Sequence, residues 1–99
     1  MATAVEMVYP HVTKNPSVCS GRACVARTRV RVMDIVSLHN AGLSPEEIVR
    51  EFPSLDSTVD VYAALVYYAD HKAEIEADFA EDQRLAAEAE RQRVEQPDR

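Results

Sequence analysis

The residues with most to offer chemically are few: Cys19 and Cys24, with His11, His39 and His71. A thiol beside an imidazole is the nucleophile and base of many hydrolases, and sulfur with ring nitrogen holds zinc. Neither pattern is complete here. No motif fixes a cysteine–histidine geometry, and the C-x4-C spacing lies at the loose end of zinc knuckles with no second pair to close the site. Gly21 and Gly42 are the only glycines, so no glycine-rich phosphate loop exists, and no paired-carboxylate signature appears. The chain is therefore expected to be no enzyme, with no catalytic residue, metal, cofactor or small-molecule substrate. Tyr62 and Tyr67 read as core or interface aromatics.

Charge patterning says more. The 99 residues carry a formal net charge of −6, yet residues 14–31 hold Lys14, Arg22, Arg27, Arg29 and Arg31 with no acid. From Asp70 onward there are ten Asp or Glu against five Lys or Arg. Such bipolarity implies two surfaces with different partners. An apolar fraction of 46% with 28% charged residues is that of a globular domain. No run approaches the roughly 18 apolar residues a membrane span needs, and "MATAVEMVYPH" lacks the features of a signal peptide. A cytoplasmic protein that meets no membrane is expected.

The elements that must position these groups follow from local signals. "HVTKNP" reads as a strand ending at Asn15-Pro16. "ACVARTRVRV" alternates like a half-buried strand, which would set Arg27, Arg29 and Arg31 on one face. "VMDIVSLHN" switches to helical spacing and stops before Gly42. Ser44, Pro45 and Glu47 form a capping box for a short helix through "PEEIVREF", stopped by Pro53. Ser57 with Asp60 offers a second cap, after which "VDVYAALVYYADHK" is helical with Val61, Ala64, Leu65 and Tyr68 on its buried stripe. From Ala73 the chain has high helix propensity and few large apolar residues. The fold class is mainly α: a three-helix, helix-turn-helix core with a small N-terminal β element and a long C-terminal helix. Its divisions are an arm (1–10), a domain (11–72) and an acidic helical tail (73–99) with a disordered end.

The run "GRACVARTRVRVMDIVSLHNAGLSPEEIVREFPSL", followed by "DVYAALVYYADH", resembles domain-of-unknown-function family 433, whose members are similar to VapB-type antitoxins. Gly21, Thr28, Arg29, Gly42, Ser44, Glu46, Glu47, Ile48, Pro53, Leu55 and Ala63-Ala64-Leu65 fall on the family pattern. Two positions depart from it: Ala23 stands where proline is usual, and Arg27 where a glycine precedes Thr-Arg. Glycine there would suit a positive φ. The resemblance implies a helix-turn-helix homodimer that neutralises a PIN-like ribonuclease toxin and represses its own operon by binding operator DNA.

On that reading Arg22, Arg27, Arg29 and Arg31 form an exposed basic ribbon for phosphates, and Ser57, Thr58 and Tyr62 are the readers on the third helix, where Asp56 and Asp60 oppose DNA. The competing reading pairs the arginines with Glu6, Asp34 or acids of a second subunit. For the toxin, the tail would offer Ile75, Phe79 and Leu85 as apolar anchors and Arg84, Arg91 and Arg93 toward metal-binding carboxylates, its acids mimicking RNA. Truncation after Lys72 is then expected to spare the core. The alternative is a dimeric adaptor, or a stand-alone DNA-binding protein without a toxin.

Overall fold

The computed structural model describes residues 6–95. Three short strands, β1 (Glu6–Tyr9), β2 (Val12–Lys14) and β3 (Cys24–Val25), form an antiparallel sheet in that order, with Val12 opposite Val25 and Thr13 opposite Cys24. Four helices follow: α1 (Val32–Asn40), α2 (Pro45–Glu51), α3 (Thr58–Asp70) and α4 (Lys72–Glu95). The mainly helical architecture with a small β element and a long last helix is as expected.

The helix boundaries have local causes. Asp34 accepts the Arg31 backbone N–H at 3.0 Å and so caps α1. Gly42, at φ 99°, ends it by the left-handed stop. In α2 the Ser44 hydroxyl accepts from the Glu47 N–H at 3.2 Å, while the Glu47 carboxylate accepts from the Ser44 N–H at 2.8 Å. The start of α3 differs from the expected box. Ser57 Oγ accepts from Val59 N–H, and Asp60 reaches past it to the N–H of Asp56.

Val12, Val25, Val32, Ile35, Val36, Ile48, Val61, Ala64 and Tyr67 meet in one core, α1 packing chiefly on α3. Leu65 and Tyr68, placed on the buried stripe of α3 by spacing, are only partly covered; Tyr67 takes the central place and Tyr62 is exposed. At His71 the backbone leaves the helical region (φ −130°, ψ 45°) and α4 turns back over the core. The His71 ring stacks on Tyr67 at 4.1 Å, and Tyr9 meets both rings edge-on. The Tyr67 hydroxyl donates to Glu74 at 2.8 Å, and the same carboxylate pairs with Lys14 at 2.9 Å. This corner ties α4 to both α3 and the sheet.

The tail division requires correction. Ile75 is fully buried in the core and Phe79 packs against it, so the folded unit continues through the first three turns of α4. Truncation after Lys72 would open the core. The expected disorder of the extreme end concerns residues 96–99, which lie outside the described residues, as do residues 1–5 of the arm.

Candidate nucleic-acid interface

The alternating segment 23–32 is not one strand. After Cys24–Val25 the chain turns: Thr28 N–H donates to Val25 O at 3.0 Å, the Thr28 hydroxyl donates to the same oxygen at 2.9 Å and accepts from Val30 N–H at 3.0 Å. Val25 N–H then meets Val30 O, and Cys24 bridges to Arg31. Residues 26–29 are thus the tip of a tight hairpin, and Arg27 occupies its left-handed position at φ 64°. A period-2 pattern looks alike in a strand and in a turn braced by a threonine hydroxyl. The three arginines do not share a face.

The basic ribbon instead divides in two. Arg22 donates to Asp82 at 2.7 Å and lies 3.7 Å from Asp78; Arg31 grips Asp34 with two guanidinium bonds (3.1 and 2.8 Å) and approaches Asp82 at 3.6 Å. Lys14 is held by Glu74. The expectation that Arg22 and Arg31 form an exposed phosphate ribbon is corrected: Arg22 leans into α4, where carboxylates compensate it, and Arg31 is compensated by Asp34 of α1 with Asp82 of α4 farther off. Of the competing partners, Asp34 is used; the Glu6 side chain lies outside the described residues. Among the described residues, Arg27 and Arg29 meet no carboxylate within ion-pair distance and both are exposed.

The electrostatics follow. The hydrogen bond from Arg22 holds the Asp82 carboxyl below its usual range, whereas burial pushes Asp78 up against the opposing pull of Arg22. The hydrogen bond with Asp34 raises Arg31 further. Burial, then the neighbouring Cys19 thiol, pushes Cys24 up to about 12, so it stays protonated and unreactive at neutral pH. Cys19 is half-buried, its Sγ 3.6 Å from the Arg29 carbonyl. Among the described residues no three His, Cys, Asp or Glu side chains are placed to hold a metal ion together.

Arg27 and Arg29 border a recess of about 770 Å³ whose other walls include Thr13, Asn15, Thr28 and Ser54. On its far side Arg27 borders a second recess, about 510 Å³, shared with His11, Asp56 and Asp60. The hairpin tip therefore stands beside the N-terminal turn of α3. There Ser57 is exposed but spends its hydroxyl on capping, Thr58 is half-buried, and Tyr62 is exposed. Asp60 faces His11 at 3.6 Å. What sequence reasoning missed is the row Glu74, Asp78 and Asp82. Its signal was present as carboxylates four residues apart in an acidic segment, opposite an acid-free basic one.

The residues assigned to a toxin are also divided. Ile75 and Phe79 serve the core and are not free anchors. Leu85 is 47% exposed, Arg91 is exposed, Arg84 pairs with Glu81 and Glu88, and Arg93 pairs with Glu90. Beyond Asp82 the described helix carries three arginines and three glutamates, so the acidity lies in the half already paired with the core. Charge mimicry of RNA by the tail loses its basis.

No helix among the described residues is long and apolar enough to cross a membrane. No curated protein matches the chain. A crystal structure of a DUF433 member from Anabaena variabilis ATCC 29413 is similar to it, with 28% sequence identity and a TM-score of 0.64, covering 71% of this chain and 68% of that one. The family described as "Protein of unknown function (DUF433)" matches residues 12–68, which span the first recess, the hairpin, α1, α2 and most of α3. The chain belongs to the DUF433 family.

Proposed function

We propose that this protein is a non-enzymatic regulator of the antitoxin type: as a homodimer it contacts operator DNA through Arg27 and Arg29 beside the N-terminal turn of α3, and it captures a PIN-like ribonuclease toxin with the distal half of α4. The observation that carries the DNA half is a pair of guanidiniums, on a braced hairpin tip, that meets no carboxylate among the described residues. Phosphate binding needs cations that are not already neutralised, and these two are the part of the basic segment that α4 leaves free. A dimer would present four. The left-handed Arg27 adds weight, since strain retained at an exposed tip is common where a side chain is aimed at a ligand.

The partner half rests on geometry too. Beyond the Ile75–Phe79 stripe, which Asp82 and Gln83 interrupt, the helix carries Leu85 and Ala86, with Ala89 a further turn on, all exposed. An apolar line on a helix of that kind fits a groove in another protein. Arg84 and Arg93 are held only by exposed intrahelical pairs, which are cheap to exchange.

Co-purification of tagged full-length protein with the product of its neighbouring gene, followed by a ribonuclease assay of the partner alone and in complex, tests the reading. A stoichiometric, silenced complex is expected, and it should disappear when the chain is cut after Asp82. A shortened chain that still inhibits would contradict the assignment to the distal helix.

A dimeric adaptor indifferent to DNA is the second reading, favoured by the outward face of α3. Val59, Tyr62 and Val66 are each about half exposed there (53%, 54% and 52%), and the exposed Asp56 stands at its entrance. Sedimentation of the free protein with and without duplex separates the two: a dimer that never takes up DNA would establish the adaptor.

A further inference from the structure

We infer that α4 is an internal competitor for polyanions, its Asp78 and Asp82 occupying the guanidinium of Arg22, which would otherwise take phosphates. The inference rests on the DNA-contacting reading above and adds to it a second anion-binding surface, kept filled by the protein itself.

The geometry supplies the argument. Glu74, Asp78 and Asp82 are spaced by four residues, so they stand about 6 Å apart along one face of the helix. Each lies against a cation of the acid-free segment: Glu74 on Lys14 at 2.9 Å, Asp78 on Arg22 at 3.7 Å, and Asp82 on both Arg22 at 2.7 Å and Arg31 at 3.6 Å. A row of evenly spaced negative oxygens meeting a lysine and two arginines is the kind of arrangement a nucleic-acid backbone makes with basic side chains. The cations come from three separate places in the fold: the end of β2, the turn after Cys19–Gly21, and the cap of α1.

The row is not sealed. The side chains of Lys14 and Asp82 are 36% and 41% exposed, so water and other anions reach it. Arg22 and Arg31 also stand beside the hairpin whose tip carries Arg27 and Arg29, so a polyanion held at the tip would extend toward them. Ile75 and Phe79 anchor the helix independently of the charges. Removing Asp78 and Asp82 therefore unmasks Arg22, one guanidinium in each protomer, without releasing α4, while Arg31 keeps its two bonds to Asp34 and loses only its longer contact with Asp82.

The test compares Asp78→Asn/Asp82→Asn with Glu88→Gln/Glu90→Gln, which loses the same charge far from the row. Retention on immobilised heparin and fluorescence anisotropy on a duplex from upstream of the gene are read together. The first variant should bind the duplex at least about tenfold more tightly at 0.1 M salt, with a log–log salt slope steeper by about 2, and leave heparin at higher salt. The second should change affinity by less than about threefold. Equal behaviour of the two variants on heparin would overturn the inference. A heparin difference without duplex binding by any form would instead overturn the DNA reading and leave the masking intact. Asp82→Asn alone, at the more exposed carboxylate, carries the same expectation at about half the slope change should the double variant lose its cooperative melting transition.

Discussion

Arg22 and Arg31 stand in ordinary extended backbone (φ −70° and −78°) at the borders of structural elements, whereas Arg27 and its neighbour Arg29 stand on a hairpin tip whose backbone is left-handed at φ 64°. Of the first pair, Arg22 is neutralised by a helix from the far end of the chain and Arg31 by Asp34 of α1, with Asp82 of α4 at 3.6 Å; the second pair meets no acid among the described residues. Four arginines within ten residues thus divide by what folds back onto them. Composition gives a segment its charge, but the partner of each charge is a property of the tertiary fold.

The division depends first on α4 staying in place. Ile75→Ala, which empties a fully buried site, should cost about 3 kcal/mol in denaturant unfolding. Leu85→Ala, on the projecting half of the same helix, should cost less than about 0.5 kcal/mol. Similar losses at both positions would mean that the distal helix is also packed.

The arginines themselves come next. Arg22→Ala removes charge-assisted bonds from a side chain only 16% exposed and leaves Asp78 uncompensated, for a loss of about 2 kcal/mol. Arg29→Ala should stay within about 0.5 kcal/mol.

Acid titration sharpens the contrast between the two carboxylates that hold Arg22. Asp82 is lowered by its bond from Arg22, so its stabilisation is complete above the ordinary carboxylate range and disappears as pH falls through the lower folded value. Asp82→Asn should therefore make the acid limb of the stability curve shallower. Asp78 is raised by burial, so its ionisation works against the fold and protonation relieves it on acidification. Asp78→Asn should make the limb steeper. Changes of the same sign would contradict the assigned environments.

The smallest effect belongs to the tip. A left-handed arginine costs about 1–2 kcal/mol, and glycine gives back about 0.4–1 kcal/mol of that through the unfolded chain. Arg27→Gly should stabilise by about 0.5 kcal/mol in denaturant unfolding while weakening DNA binding.

Much of the scaffold is legible because its signals are local. Ser44 and Glu47 cap α2 as their spacing predicts, Gly42 stops α1, and the family pattern brackets the same helices. The hairpin is not legible, since Arg27 occupies a position that a glycine would have announced and Thr28 hides the turn inside an alternating pattern. The role of the early tail also escapes a local reading. Two apolar residues in an alanine- and acid-rich helix look insufficient, yet Ile75 and Phe79, one turn apart, suffice to seat it. Pairs such as Arg22 with Asp82, sixty residues apart, were foreshadowed only by complementary charge in bulk.

The most direct test of the account is the salt dependence of binding to a duplex from upstream of the gene, measured by fluorescence anisotropy for the wild type, Arg27→Ala/Arg29→Ala and Arg50→Ala. The log–log slope should be shallower by about 4 in the tip variant, because two guanidiniums per protomer, four per dimer, no longer meet phosphate, with affinity at least about tenfold weaker at 0.1 M salt. The exposed arginine on α2 should leave both unchanged. An unaltered slope in the tip variant would contradict the claim that the arginines α4 leaves free are the ones that meet DNA.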